Sequence, residues 1–267
     1  RASLKLADLN KANFETIKKL YSERFNAAGD FDFFFTGALN VDSLREFTEQ
    51  YIAPLKGVKK REHYIDLKVE PVQGVVNNHF FRQMETPQAI VVQIYSGKNP
   101  YTMKEAAVVN ALGAVLTQRY LKSIREDAGI AYSVGTDGSA SYGVSDRYSL
   151  VTQCPVKPAQ LDSALLLMKQ GIEDIAKNGV TADELEKVLA FELKDYADNQ
   201  KKNGYWMNLI TEKVVWNKDF RTNYEATLKS ITSKDIQDFV NNVVLKQNNC
   251  VTVSMRPTDM TEKDGVK

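Results

Sequence analysis

The sequence predicts a mixed α+β fold, and three observations carry that prediction. Apolar residues recur at helical spacing behind recognisable capping residues, short β-branched runs lie between these stretches, and Gly, Pro or Asn marks the joints. At 267 residues, 43% of them hydrophobic and 26% charged, the chain has enough apolar material for one large domain or a domain and a half. Its 35 Lys and Arg against 34 Asp and Glu carry no electrostatic footprint for nucleic acid or an anionic membrane. The longest apolar stretches, such as Ala106–Leu116, are interrupted by Asn110 or Gly113 and fall short of a membrane span. The first residue is Arg1 rather than methionine, so it reads as a cloning or processing boundary, and the sequence leaves the compartment open. Two cysteines, Cys154 and Cys250, are too few and too far apart for a disulfide framework or a zinc knuckle; each sits in an apolar alternating run and is expected to be a buried free thiol.

Taken in order, Asn10 is positioned to cap a helix whose stripe is Phe14, Ile17, Leu20, Tyr21 and Phe25, and Phe31–Thr36 reads as a strand after Gly29-Asp30. A second helix spans about Asp42 to Ile52 and stops before Pro54; the charged Lys56–Glu62 segment, with Gly57, reads as a linker. Strands follow at about Asn78–Met84 and Gln88–Ser96, joined across Thr86-Pro87, the second apolar enough for a central strand. A helix from about Thr102 to Glu126 is apolar nearly all round in its first half and ends before Gly129, a left-handed cap position. Ile130–Gly135 and Tyr142–Ser145 flank Thr136-Asp137-Gly138-Ser139, which has the composition of a hairpin turn, and the strand Tyr148–Cys154 is expected to close at Pro155. Pro158 opens a helix ending at Gly179, Thr181 with Glu184 forms a capping box for the next, and that pattern continues past a break at Asn203-Gly204. Thr232 with Asp235 starts the last helix, Asn249–Met255 is the last strand, and Thr261–Lys267 is a polar tail. The helix-to-strand arrangement around Leu9–Thr36 recurs around Ile231–Met255, which suggests the end of one repeat unit followed by a whole second one.

Histidine chemistry is quickly tested, because only His63 and His79 are available. Neither stands in H-E-x-x-H or H-x-x-E-H, the helical spacings that place two imidazoles on one zinc beside a carboxylate. His63 is expected at the surface and His79 in a strand. No G-x-S-x-G elbow, Walker loop or G-x-G-x-x-G fingerprint occurs, and adjacent carboxylates such as Asp183/Glu184 point to different sides of a helix. One constellation remains: Arg125-Glu126-Asp127-Ala128-Gly129-Ile130-Ala131-Tyr132, where the long helix gives way to a strand. A guanidinium and a phenol brought to one sheet edge can both donate to a carbonyl oxygen or to developing negative charge. The same arrangement also suits an Arg125 that complements the helix dipole and a Tyr132 that packs at a strand end.

The string from Tyr120 to Val134, with Ile124-Arg125, six residues and Tyr132, resembles the leucine/isoleucine–arginine–six residues–tyrosine segment in the C-terminal half of pitrilysin/insulinase-type zinc peptidases, the inverzincins. The order of the surrounding strands and helices extends the likeness over nearly the whole chain. The resemblance implies an antiparallel-rich sheet with helices packed on it, of the metallopeptidase C-terminal-half type. It implies a tail of a preceding repeat unit over 1–57, a complete final unit over 58–260 and a frayed end over 261–267. Arg125 and Tyr132 would hold the substrate carbonyl, a role in which losing one donor costs about 2.7–4 kcal/mol of transition-state stabilisation. Zinc, its ligands and the glutamate base would lie in an absent N-terminal half, of the same protein or of a partner subunit, so this chain alone would bind no catalytic zinc and cleave no peptide. Peptides in an enclosed chamber are the implied substrates, some bound by strand addition. A non-catalytic peptide-binding or scaffold subunit of the same fold is the alternative.

Overall fold

The computed structural model describes residues 5–25, 27–57, 63, 65–143 and 145–258. They group into two compact units, one running to Leu67 and including Asn203–Thr211, the other made of Lys68–Lys202 and the residues from Glu212 onward.

The first unit is helical. A single turn, α1 (Leu6–Leu9), precedes α2 (Phe14–Phe25), and α3 (Val41–Phe47) widens into a π-type turn over Thr48–Ile52 just ahead of Pro54. The cap of α2 is Asn13, whose side-chain oxygen accepts the Thr16 N–H at 3.0 Å; Asn10 lies one turn too early to reach those amides. Asn40 does the same for α3 by accepting from Ser43. The expected strand Phe31–Thr36 forms no ladder. Its side-chain alternation is that of a strand, but pairing needs a neighbouring edge, and no described segment supplies one. Phe31 instead packs in a run of rings with Phe25 and Phe33. The proposed linker, beyond Gly57, and the tail Thr261–Lys267 lie outside the described residues.

The second unit holds the sheet. In chain order it contains β1 (Val75–Arg82), β2 (Ala89–Lys98), α4 (Met103–Tyr120), β3 (Gly135–Ser141), β4 (Arg147–Val156), α5 (Leu161–Asn178) and α6 (Ala182–Asn199). Then come α7 (Asn203–Trp216), whose first residues belong to the other unit, α8 (Tyr224–Lys229), α9 (Ser233–Phe239) and β5 (Cys250–Pro257). The strand order is β1-β5-β2-β4-β3, with β1 parallel to β5 and every other pair antiparallel, which is the antiparallel-rich α+β sheet expected. β1 and β2 are consecutive in the chain but not adjacent, because β5 lies between them. Alternate residues of β2 and β4, among them Val91, Leu150 and Cys154, are buried with the stripes of α4, α5 and α9 in one core. Cys154 and Cys250 are both free and buried.

Both predicted capping boxes are present. Thr181 accepts from the Glu184 amide while Glu184 reaches back to the Thr181 amide, and Thr232 and Asp235 repeat the arrangement. Gly129 and Gly179 end their helices at φ +63° and +73°.

The segment Thr136–Ser139 departs from expectation. It lies inside β3 rather than at a hairpin tip; the chain reverses only between Ser141 and Arg147, and β4 runs through Pro155 to Val156. Gly138 is a glycine for a different reason. A Cβ there would be driven into the carbonyl oxygen of Val109, and one on Gly113 would stand 2.5 Å from the Gly138 nitrogen. Helix and strand therefore touch backbone to backbone, and Thr117 fastens them by accepting the Thr136 N–H at 2.8 Å and donating to the Thr136 carbonyl at 3.2 Å.

Arg119, near the end of α4, binds the helical layer together. It donates to both Glu184 oxygens at 2.7 and 2.9 Å, to Asp174 at 2.7 Å and to the Gly179 carbonyl at 3.0 Å, so α4, α5 and α6 share one guanidinium. The hydrogen bond from Arg119, together with those from Thr181, holds the Glu184 carboxyl at about 2 although partial burial opposes this.

Two predictions follow from these contacts. Gly138→Ala is expected to destabilise the protein by about 3 kcal/mol through backbone overpacking. Gly135→Ala, where a Cβ meets nothing within 4 Å, is expected to stay within about 0.5 kcal/mol. Urea unfolding of the two variants measures the difference. Glu184 has a folded pKa below its unfolded value, so its contribution is complete above about 4.5 and fades as pH falls toward about 2. Glu184→Gln should therefore cost about 1–2 kcal/mol at pH 7, after discounting for solvent around the half-open network, and much less at pH 3. An equal loss at both pH values contradicts this account.

Candidate functional site

Where α4 ends, the chain widens into a π-type turn, Leu121–Asp127, anchored by the fully buried Ile124. The Ala128 N–H donates to the Ser123 carbonyl and the Ile130 N–H to that of Ile124, closing the helix end. Gly129 lies between these two donors. A Cβ on it would meet nothing within 4 Å, so glycine is required here by the sign of φ and not by space.

Ile130 and Ala131 then return to the core. Ala131 makes an isolated antiparallel bridge to Val156, and the Lys157 N–H donates to the Ile130 carbonyl at 3.3 Å, so the segment is sewn to the end of β4. The Lys157 ammonium reaches the preceding carbonyl, that of Gly129, at 3.2 Å. The next residue, Tyr132, is 92% exposed although its chain neighbour Ala131 is buried.

Tyr132 stands on the wall of a groove of about 930 Å³ at this end of the sheet. The Arg82–Gln88 stretch, which begins at the last residue of β1, also lines it. Ile90, Met255 and Pro155 also line it and form one cross-strand row, since Ile90 pairs with both of the others. The lining is thus largely apolar, with Arg82, Glu85 and Lys157 as its charged members and Tyr132 and Thr86 as its hydroxyl-bearing ones.

The two residues singled out from the sequence are placed differently. Tyr132 lines the groove; Arg125 does not, and its guanidinium donates to the neighbouring Glu126 carboxylate at 2.9 Å in an exposed pair. The sequence reading missed Lys157 and the Arg82–Gln88 connection. Thr86-Pro87 did mark the latter as a break, but nothing local tied it to Tyr132.

The donor set does not fit a zinc ion. No group of three or more His, Cys, Asp or Glu among the described residues could hold a metal. His63 is exposed, and the Nδ1 of His79 contacts the Ser254 hydroxyl across the β1–β5 pair. Burial pushes the Cys154 thiol up to about 11 and raises that of Cys250 as well, which keeps both protonated and poor as ligands or nucleophiles near neutral pH. What the groove offers is a mainly apolar wall carrying donors at Tyr132, Arg82 and Lys157 and a carboxylate at Glu85.

Among the described residues this α+β unit holds no cluster of metal ligands. The chain belongs to the peptidase M16 inactive domain family, whose model matches residues 11–191. That agrees with the likeness to pitrilysin-type peptidases read from the Arg125–Tyr132 segment. A curated relative, "Probable zinc protease PqqL" of Haemophilus influenzae, is 22% identical over 166 residues, which is 60% of this chain and 17% of that protein. Among solved structures, a protease from Helicobacter pylori superposes with a TM-score of 0.72 at 17% identity, over 95% of this chain and 61% of that one. The periplasmic protease PqqL from Escherichia coli gives 0.65 at 19% identity, over 83% of this chain and 25% of that one. The chain therefore spans less than two thirds of each of these relatives. No helix among the described residues is long and apolar enough to cross a membrane.

Proposed function

We propose that this chain is the C-terminal, non-zinc-binding part of a zinc-dependent peptidase that cleaves peptides in a closed chamber, and that it supplies the groups that hold the substrate. In this reading 1–57 is the tail of a preceding repeat unit, 58–260 is the final unit, and the partner is a zinc-bearing half of the same protein or a separate subunit. The observation that carries the reading is Tyr132. A large aromatic side chain stands almost wholly in solvent on a backbone bridged to the end of β4, at the wall of a groove of about 930 Å³.

The chemistry is that of polarisation. A phenol hydroxyl directed at a peptide carbonyl donates one hydrogen bond, which strengthens as the oxygen gains negative charge. Arg125 offers a second donor. Its pairing with Glu126 is exposed and one residue away, the kind of surface contact that contributes little and yields to a better acceptor. The apolar lining beside Tyr132 suits an apolar side chain next to the held carbonyl.

The test is cleavage of mixed peptides by the full-length protein, with and without a chelator, and with Arg125→Ala and Tyr132→Phe. Chelation should abolish activity, and each variant should lower kcat/KM by about 10²–10³-fold. Variants that cleave at the wild-type rate refute the donor role. A full-length protein that binds peptides through the groove but cleaves none favours the alternative, a non-catalytic peptide-binding subunit.

A further inference from the structure

We propose that Lys157 is a positioning residue for Tyr132, acting through its grip on two consecutive carbonyls. The inference rests on the reading of Tyr132 as the substrate-carbonyl donor. It is carried by the geometry around Gly129: the Lys157 main-chain N–H holds the Ile130 carbonyl at 3.3 Å, and its ammonium holds the Gly129 carbonyl at 3.2 Å. One residue thereby constrains the peptide planes on both sides of Ile130.

The need for such a constraint comes from the sequence itself. Gly129 is obligatory for the left-handed turn, and glycine is the residue with the widest backbone freedom just where the chain must aim Tyr132. Tyr132 has no side-chain packing to hold it, being 92% exposed, so its aim depends on its backbone. Ahead of it stand the Ala131–Val156 bridge and the two Lys157 bonds; behind it, Val134 is buried and the Cys154 thiol lies 4.0 Å from the Ser133 carbonyl. Among these, the ammonium bond is the only one made by a charged side chain, and no carboxylate among the described residues pairs with Lys157 in competition. The Gly129 carbonyl lies just past the end of the π-type turn, where the helix dipole also favours a cation.

A purely structural Lys157 would share the same bonds, so the experiment separates aim from stability. In the full-length protein, Lys157→Met removes the ammonium but keeps the stem and the main-chain N–H, and Lys157→Arg restores a cation able to reach Gly129. Cleavage of a mixed library of internally quenched peptides should show kcat reduced about tenfold by Lys157→Met with KM within about twofold, less than the hundredfold that a 1 Å misplacement costs. Lys157→Arg should recover most of that loss. On a Tyr132→Phe background, Lys157→Met should change kcat by less than about twofold, because the group it aims is gone. Hydrogen exchange at the Gly129–Tyr132 amides should quicken in Lys157→Met and return in Lys157→Arg, while the amides of β2 and β4 stay protected.

An unchanged kcat, an equal loss with and without the Tyr132 hydroxyl, or unchanged exchange at Gly129–Tyr132 each overturns the inference. Failure of the underlying reading looks different: Tyr132→Phe would then cleave at the wild-type rate, and faster exchange in Lys157→Met would mark a tether with nothing to aim.

Discussion

The backbone contact between α4 and β3 is the constraint on which the rest of the sheet unit depends. Gly113 and Gly138 allow helix and strand to approach with no side chain between them, and the Thr117–Thr136 pair fixes the approach along the helix. A helix held this close cannot slide without breaking main-chain contacts, so its far end is fixed as well. That far end carries Arg119, then the buried Ile124, Arg125, and Gly129 at the turn. Tyr132 thus owes its location to an interaction two helical turns and more away from it, before any local bond near the groove contributes.

Much of this was legible in the sequence because it is local. Thr181 with Glu184 and Thr232 with Asp235 each satisfy helix amides three residues away, and no distant residue can alter that pattern. Gly129 was legible for the same reason. Gly138 was misread because an Asp-Gly pair flanked by small polar residues is a turn signal only when nothing else requires the glycine, and the requirement comes from Val109, far away in the chain. Phe31–Thr36 was misread because alternation describes a strand's faces but not its neighbours. The parallel β1–β5 pair, which separates β1 from β2, is likewise a matter of long-range partnership. At the site, Tyr132 could be singled out through a motif, whereas the groove could not, since its walls come from four segments that meet only in the fold.

Two arginines six residues apart illustrate how burial assigns different tasks to one residue type. Arg119 is largely enclosed, bidentate to Glu184 and further bound to Asp174 and Gly179, so its donors are spent within the protein. Arg125 is half exposed and bound only to the adjacent Glu126, which leaves most of its guanidinium hydrogen-bonding capacity directed to solvent. Exchanging their surroundings would leave the helical layer without its tie. The sequence motif marks Arg125, but the fold explains why Arg119 could not take its place.

The chemistry of the groove is weighted toward donors. Phenol, guanidinium and ammonium all donate; the nearby thiol is held protonated by burial, and no described cluster of acidic, cysteine or histidine residues can hold a metal. Such a surface can polarise a carbonyl and orient it, and Glu85 is the carboxylate in its lining. Transition-state stabilisation and nucleophile activation are separable chemical tasks. In the proposed reading the two tasks lie on two bodies, and substrate is processed only when both address the same carbonyl. The rigidity built from α4 through Gly129 and Lys157 to Tyr132 is then what one body contributes to that alignment.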